Sequence, residues 1–196
     1  MEEFIQIEKT LQKELNESRY EHTLGVRYTA ASLAMVHRLD MYKAQLAGLL
    51  HDCAKMYSNQ EFFALAEKYH LEVSKTEKEA PHLLHAKLGA VFAKEKYGVK
   101  DSEIINAIRY HTTGRVGMTK LEQIVFISDY IEPNRREILG LEECRKLAYK
   151  DLDEATYTIL KNTLNYLKSK NGMEQIDATT VHAYEYYKDI LKKENE

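Results

Sequence analysis

The chain has 196 residues and a net charge of −3 at pH 7, with 44% apolar and 30% charged residues. A chain of this length and composition can form one domain around its own core, without disulfides as a staple. Its acidic balance, with a pI near 6.3, provides no general basic face. Nucleic acid is therefore disfavoured as the main partner, whereas a local basic patch can still bind a small phosphorylated ligand.

The cysteine content and the lengths of the apolar runs indicate where in the cell the protein is located. Cys53 and Cys144 are the only cysteines, and neither belongs to a pair at metal-ligand spacing, so we expect reduced thiols in a cytoplasmic protein. The first fifteen residues are charged and amphipathic, unlike the apolar region of a signal peptide. No apolar run approaches the ~20 residues that cross a bilayer. We therefore expect neither export nor a membrane partner.

Start and stop signals predict an all-α fold, because only two prolines and eight glycines interrupt the chain. Capping boxes are predicted at Ser18, Ser58 and Thr119, and Asp40 is predicted to cap a further helix. The segment around 71–80, rich in Lys and Glu, is predicted to be a mobile loop that is either a plain connection or a lid. The predicted helices span about 18–38, 41–54, 58–69, 81–98, 101–111, 119–132, 141–149, 152–169 and 178–193.

A His-Asp pair ends the most apolar of these predicted helices. His51 and Asp52 directly follow the run Leu46–Leu50, and an ionised carboxylate at the end of a buried helix is costly unless something compensates its charge. A divalent metal would compensate it, since imidazole and carboxylate are both good ligands for iron, manganese or zinc. The alternative is a hydrogen-bonded helix terminus without metal.

Three more ligand-type residues occupy comparable positions. His22 lies one turn past the predicted Ser18 cap, His111 ends an apolar helix, and Asp129 lies within the apolar stretch 124–131. Each of them alone could be a polar core residue with a hydrogen-bond partner. Together they indicate one site.

The order His22, His51-Asp52, Asp129 resembles the pattern of the HD superfamily of metal-dependent phosphohydrolases. The sequence motifs around these residues are similar to those of the YqeK family of symmetrical bis(5'-nucleosyl)-tetraphosphatases. They read RYEHTLGV at 19–26, AGLLHDCAK at 47–55, IRYHTTG at 108–114 and ISDYIEPNR at 127–135. The resemblance implies a single HD-type helical bundle over 1–196. Its metal-binding core would lie at about 18–136, and a helical extension at about 141–193 would pack on it.

The resemblance also implies a ligand set for two metal ions, iron in the first place, with manganese or zinc as alternatives. Asp52 would bridge the two ions. Of His82 and His85, the sequence leaves open which one binds the second ion, and His85 is our preferred ligand. The implied metal ligands are His22, His51, Asp52, His85, His111 and Asp129.

Asp52 and Lys55 are the predicted catalytic residues. Lys55, three residues after the His-Asp pair, is expected to face phosphate, although it could instead be a C-terminal lysine that favours the helix dipole. Of Arg135 and Arg136 we expect one to reach a phosphate and the other to be solvated. The predicted substrate-binding residues are Arg19, Lys55, His82, His111, Thr112, Asp129, Arg135 and Arg136.

The activity implied by the resemblance is symmetrical hydrolysis of diadenosine tetraphosphate to two ADP. A nucleotidase or cyclic-nucleotide phosphodiesterase would use the same metal site. A nucleotide-binding regulatory module with slow turnover is a rival from another class, and an RNA-associated helical protein is disfavoured by the acidic pI. The sequence leaves open whether the chain forms a homodimer.

Overall fold

The computed structural model describes residues 2–136, 138, 140–171 and 176–194, and within these ranges it contains α-helices, one short 3-10 turn and no β-strand. The all-α prediction is confirmed. The helices are α1 (Glu2–Glu14), α2 (Glu17–Val36), α3 (Met41–Leu50), α4 (Asn59–Lys68), α5 (Lys75–Glu79), α6 (Leu84–Glu95), α7 (Ser102–Tyr110), α8 (Lys120–Ile131), α9 (Leu141–Ala148), α10 (Leu152–Asn171) and α11 (Ala178–Glu194), with a 3-10 turn at Pro81–Leu83 before α6.

Most predicted caps are present. Ser58 and Thr119 both form capping boxes, and the Asp40 carboxylate accepts hydrogen bonds from the first backbone N–H groups of α3. The cap predicted at Ser18 is wrong. The Asn16 side chain accepts a hydrogen bond from the backbone N–H of Arg19, so α2 begins two residues earlier and Ser18 lies in its first turn. Asn is as effective an N-cap as Ser, and it comes first along the chain.

The helix α3 ends four residues before the predicted Ala54. After Leu50 the backbone tightens, and the N–H of Cys53 donates to the carbonyl of Leu50 at 3.1 Å while the N–H of Lys55 donates to that of Asp52 at 2.9 Å. These i to i−3 bonds replace the α-helical pattern. The His51-Asp52 pair is therefore part of a compact turn at a buried helix end.

The segment 71–80 is not the loop that was predicted. It contains α5, which is capped by Ser74 in a capping box with Glu77. Glu77 is buried, and its carboxylate lies 2.8 Å from the ammonium of Lys87 on α6. An ion pair between a buried carboxylate and the neighbouring helix anchors this segment.

The C-terminal helices share the core of the bundle. The helix α2 packs against α3, α8 packs against both, and α10 packs against α8, α9 and α11. The hydrophobic core therefore runs continuously from the N-terminal α1 to the C-terminal α11, and the residues that α10 and α11 add to it are Leu152, Ala155, Ile159, Leu160, Ala183 and Tyr187. Among the helices of the described ranges none is long and apolar enough to cross a membrane.

Gly48 allows α3 to approach α2 closely. A Cβ at this position would lie 3.1 Å from the Cα of Arg27 and 3.2 Å from the carbonyl oxygen of Val26. Both atoms belong to the backbone of α2, so the neighbour can yield only if the helices separate. His51 follows Gly48 by three residues, directly after the end of α3, and His22 lies on α2. The spacing of these helices therefore sets the spacing of the two imidazoles.

We expect Gly48→Ala to destabilise the fold. Alanine gains about 1 kcal/mol of helix propensity, but overpacking of a tight core typically costs about 1–3 kcal/mol, so the net loss should be about 1 kcal/mol. Urea unfolding would measure it, with Met41→Ala on the exposed side of α3 as the control. A Gly48→Ala variant as stable as the unsubstituted protein would contradict the close approach.

Candidate metal centre

Six ligand-type side chains from separate parts of the chain meet at one point inside the bundle. All are buried except Asp129, whose side chain is 22% exposed. The helices α2, α6 and α8 and the ends of α3 and α7 supply them. The six residues are His22, His51, Asp52, His85, His111 and Asp129.

The two carboxylate oxygens of Asp52 face two different groups. Its Oδ2 lies 3.5 Å from Nε2 of His51 and 4.0 Å from Nε2 of His22. Its Oδ1 lies 3.2 Å from Nε2 of His85 and 3.6 Å from Nε2 of His111. A single carboxylate is thus shared by two sets of imidazoles.

Asp129 belongs to the first of these sets. Its Oδ1 lies 3.0 Å from Nε2 of His22 and 3.9 Å from Nε2 of His51. The side chains of His22, His51 and Asp129 offer ligand atoms that all lie within 4.8 Å of one another, and so do those of His51, Asp52 and His111. The geometry therefore contains two overlapping groups that could each hold an ion.

Three of the histidines are oriented by the same local contact. The Nδ1 atoms of His51 and His111 lie 2.7 Å from the carbonyl oxygens of Gly48 and Ile108, three residues earlier, and Nδ1 of His85 contacts the carbonyl of His82 in the same way. A carbonyl only accepts, so Nδ1 carries the proton, and in the neutral ring Nε2 keeps its lone pair. All three Nε2 atoms point towards Asp52, as metal ligands would.

Hydrogen-bond acceptors therefore face one another at the centre. Nε2 of His85 and Nε2 of His111 are 3.1 Å apart, next to Oδ1 of Asp52. Within the described structure, Nε2 of His22, Nε2 of His51 and Oδ1 of Asp52 are buried without a hydrogen bond. Buried polar atoms are rarely left without a partner. A divalent cation would satisfy all of them, so these residues fit a metal site.

Burial and the charges of neighbouring groups shift the pKa values of these residues. Burial lowers the pKa of His51, and it lowers that of His85 to about 4, so both rings are neutral near pH 7. Burial alone would also lower the pKa of His22, but the carboxylates of Asp129, Glu132 and Asp52 outweigh it and raise that pKa. For Asp52, burial opposes ionisation, yet the surrounding histidines hold its pKa well below the usual value.

Three cationic side chains lie beside the acidic centre. The Arg19 guanidinium contacts Oδ2 of Asp52 at 2.7 Å, and that of Arg135 lies 3.8 Å from Oδ1 of Asp129. The Lys55 ammonium donates to Nε2 of His85 at 3.1 Å. Lys55 thus faces the cluster of histidines, and burial lowers its pKa. Its proximity to the ligand atoms disfavours the alternative of a lysine that only complements the helix dipole.

The remaining predicted residues divide between the site and its rim. The hydroxyl of Thr112 lies 3.0 Å from Nε2 of His111 and 3.2 Å from Nε2 of His85. Arg136 is exposed on the wall of the adjoining cavity. His82 is exposed too, and it meets the site through its backbone carbonyl, which accepts from His85.

The sequence reasoning missed Glu132 as a site residue. This glutamate ends α8, is only 1% exposed, and lies with its Oε1 3.1 Å from Nδ1 of His22. It follows Asp129 by three residues, which places it on the same face of α8. That spacing, together with the apolar residues around Glu132, is the signal in the sequence that could have identified it.

A cavity of about 1120 Å³ opens beside the centre. On one side it is lined by α2, by the end of α7 and by α8 with the segment that follows it, and on the other side by α10. The contributions of α10 include Asn162, Thr163 and Tyr166, the last with 61% exposure. The C-terminal extension is therefore part of the site's wall.

Comparison with known proteins identifies similar chains. The HD domain family model matches residues 19–134. The chain is 41% identical over 161 residues to a symmetrical bis(5'-nucleosyl)-tetraphosphatase from Bacillus subtilis, covering 82% of this chain and 86% of that protein. A relative of the same name from Staphylococcus aureus is 39% identical over 170 residues, with 85% and 87% covered.

A solved structure has the same fold. It is the crystal structure of a protein from Clostridium acetobutylicum that is described as a predicted HD superfamily hydrolase involved in NAD metabolism. It superposes with a TM-score of 0.90 at 37% identity, covering 95% of this chain and 97% of the other. The similarity therefore includes the C-terminal helices that line the cavity.

Removal of the shared carboxylate should abolish metal binding. Asp52→Ala deletes a ligand that both groups of histidines use, so we expect loss of bound metal and of turnover. Elemental analysis after dialysis against iron(II) or manganese(II) would measure metal per chain, with Asp101→Ala as a control aspartate that caps α7 instead. Full metal content and near-native activity in Asp52→Ala would show the site assignment to be wrong.

Proposed function

We propose that this chain, which belongs to the HD-domain family and within it to the symmetrical bis(5'-nucleosyl)-tetraphosphatases, hydrolyses diadenosine tetraphosphate to two ADP in the cytoplasm. The observation that carries the proposal is the carboxylate of Asp52 shared between two sets of imidazoles. This arrangement lies beside a cavity large enough for an extended nucleotide. The names of the relatives support the choice of substrate.

Two ions would be held by this chain's own residues. His22, His51, Asp129 and Oδ2 of Asp52 would hold one, and the second would lie between Oδ1 of Asp52 and the remaining two histidines, His85 and His111. Iron is our proposal, because mixed imidazole and carboxylate sites suit it, as they do manganese or zinc. When bound, the ions would polarise a phosphoryl oxygen and lower the pKa of water.

The cationic side chains would bind the polyphosphate. The Lys55 ammonium lies beside His85, one of the two histidines that would hold the second ion. There it can offset negative charge that develops on the non-bridging phosphoryl oxygens. Arg19 and Arg135 approach the centre from the cavity side, and guanidinium groups match phosphate oxygens in pairs. Of the two adjacent arginines, Arg135 is therefore our choice for the phosphate contact and Arg136 the more solvated one.

The expected reaction consumes one water for each substrate molecule. The water oxygen bonds to one of the two inner phosphorus atoms, and the bond from that atom to the oxygen bridging the inner phosphates breaks. The leaving half takes up a proton or is released as its anion, and both halves are ADP. The cavity extends from the centre towards α10, which gives the nucleoside of the leaving half a place to lie.

Product analysis tests this proposal directly. Purified protein is given diadenosine tetraphosphate with iron(II) or manganese(II), without added metal, and after chelation. We expect metal-dependent release of ADP alone. AMP plus ATP would contradict symmetrical cleavage, and no turnover with any metal would contradict the activity and favour a nucleotide-binding module. Hydrolysis confined to mononucleotides or cyclic nucleotides would favour the nucleotidase or phosphodiesterase alternatives.

The Clostridium acetobutylicum relative gives a second substrate to test. Its description places that protein in NAD metabolism, and NAD is also a dinucleotide, with two phosphates instead of four. Cleavage of NAD at its pyrophosphate would give two mononucleotides. Comparison of kcat/KM for the two substrates in the same assay decides between them, and a preference for NAD would overturn the proposed substrate.

Lys55→Ala should slow the chemistry without removing the metal. Loss of one charged contact to a developing phosphoryl charge typically costs about 100-fold in kcat, whereas no proposed ligand is lost. Metal per chain and kcat would be measured together, with the exposed Lys94→Ala as a matched control. An unchanged kcat, or a loss of metal equal to the loss of activity, would refute the proposed role.

A further inference from the structure

We infer that Glu132 is a positioning residue that orients His22 for metal binding, and that Gly25 is required to make room for it. The inference rests on the proposed metal centre and adds two residues to it. Neither residue belongs to the His-Asp pattern of the sequence. Both act through His22, the ligand that α2 supplies.

Glu132 holds the ring of His22 from the side opposite the centre. Its Oε1 lies 3.1 Å from Nδ1 of His22, and an ionised carboxylate can only accept, so this contact favours a proton on Nδ1, the tautomer whose Nε2 is free to bind a metal. The lone pair of Nε2 is thereby directed towards Asp129 and Asp52. His51, His85 and His111 use backbone carbonyls for this purpose, whereas His22 uses a side chain.

The carboxylate of Glu132 is itself held in place. Its Oε2 accepts a hydrogen bond from the backbone N–H of Asn134 at 2.7 Å. Two main-chain carbonyls at the end of α8, those of Ile131 and Glu132, accept from the Arg145 guanidinium of α9. The end of α8 is thus fixed by contacts that do not involve His22. The position of the Glu132 carboxylate therefore does not depend on His22, and the carboxylate can orient the imidazole ring.

Gly25 lies one turn after His22 on α2, directly opposite this carboxylate. A Cβ at Gly25 would come within van der Waals overlap of Oε2 of Glu132 and 3.2 Å from its Cδ. Both atoms are the far end of a flexible side chain, so the fold could tolerate an alanine at this position. The consequence of the substitution would be a displaced carboxylate rather than a disrupted helix packing.

The two positions therefore allow function to be separated from stability. Gly25→Ala should change the stability of the fold little, because the higher helix propensity of alanine offsets the hydrogen bonds that the displaced carboxylate of Glu132 loses. It should nevertheless weaken metal binding, since it moves Glu132 away from His22. Loss of a hydrogen-bond partner behind a ligating histidine typically lowers metal affinity about 10–100-fold.

The test is cobalt(II) binding by the full chain. Affinity is measured by competition with a chelator, and the visible absorption of bound cobalt reports the ligand geometry. We expect Glu132→Ala to bind about 10–100-fold more weakly with an altered spectrum, and Glu132→Gln, which can still accept from Nδ1, to recover part of the affinity. The control is Glu122→Ala, since Glu122 is equally buried on α8 and pairs with Arg115 instead.

A double-mutant cycle tests the role of Gly25. If Gly25 acts through Glu132, Gly25→Ala should weaken binding in the unsubstituted protein but have no further effect in Glu132→Ala. Additive effects would overturn that role, and cobalt affinity of Glu132→Ala within about twofold of the unsubstituted protein would overturn the inference as a whole.

The outcome also separates this inference from the proposed function. If the unsubstituted protein binds cobalt and Asp52→Ala does not, the proposed centre stands whatever Glu132 does. Normal binding by Glu132→Ala in that case refutes the positioning role alone. Failure of the unsubstituted protein to bind cobalt would overturn both.

Discussion

The rest of the structure depends on the burial of one carboxylate. Asp52 is 2% exposed and lies among four imidazole rings. A buried charge is tolerated only when opposite charge and hydrogen bonds surround it. The apolar run of α3 draws the His51-Asp52 pair into the bundle, and the neighbouring helices must then deliver ligands and cations to the same point. The packing of α2 against α3 through Gly48 is part of that requirement.

The centre is built mainly on rigid elements, and backbone carbonyls fix most of its imidazoles. A histidine whose Nδ1–H donates to the carbonyl three residues earlier has a ring orientation set by its own helix turn. Such a ring needs no further support, and its Nε2 is preorganised for a ligand. His22 lies early in a long helix and relies on Glu132 instead. The orientation of the His22 ring then depends on the end of α8, and therefore on the tertiary packing of α8 against α2.

The C-terminal helix α10 lines the cavity beside the metal centre and therefore influences which substrates can bind there. The metal-ligand pattern lies within 19–134, the range matched by the HD family model. The cavity beside it, however, is partly lined by α10, whose apolar face is continuous with the core. An extended dinucleotide needs a wall beyond the reacting phosphates, and a monophosphate does not. The extension therefore bears on which phosphoester or phosphoanhydride substrates fit, while the centre determines the chemistry.

The sequence by itself determined the all-α class, the helix caps at Asp40, Ser58 and Thr119, the ligand-type residues and the family, because caps and short sequence motifs are local signals. Only the tertiary structure decided that Asp52 faces two sets of histidines with its two oxygens. It also decided that Asn16 caps α2 and that α5 forms in the segment 71–80. Glu132 and His22 are 110 residues apart. A contact over that distance leaves no periodic trace along a single chain, since it arises only when packed helices bring the two side chains together.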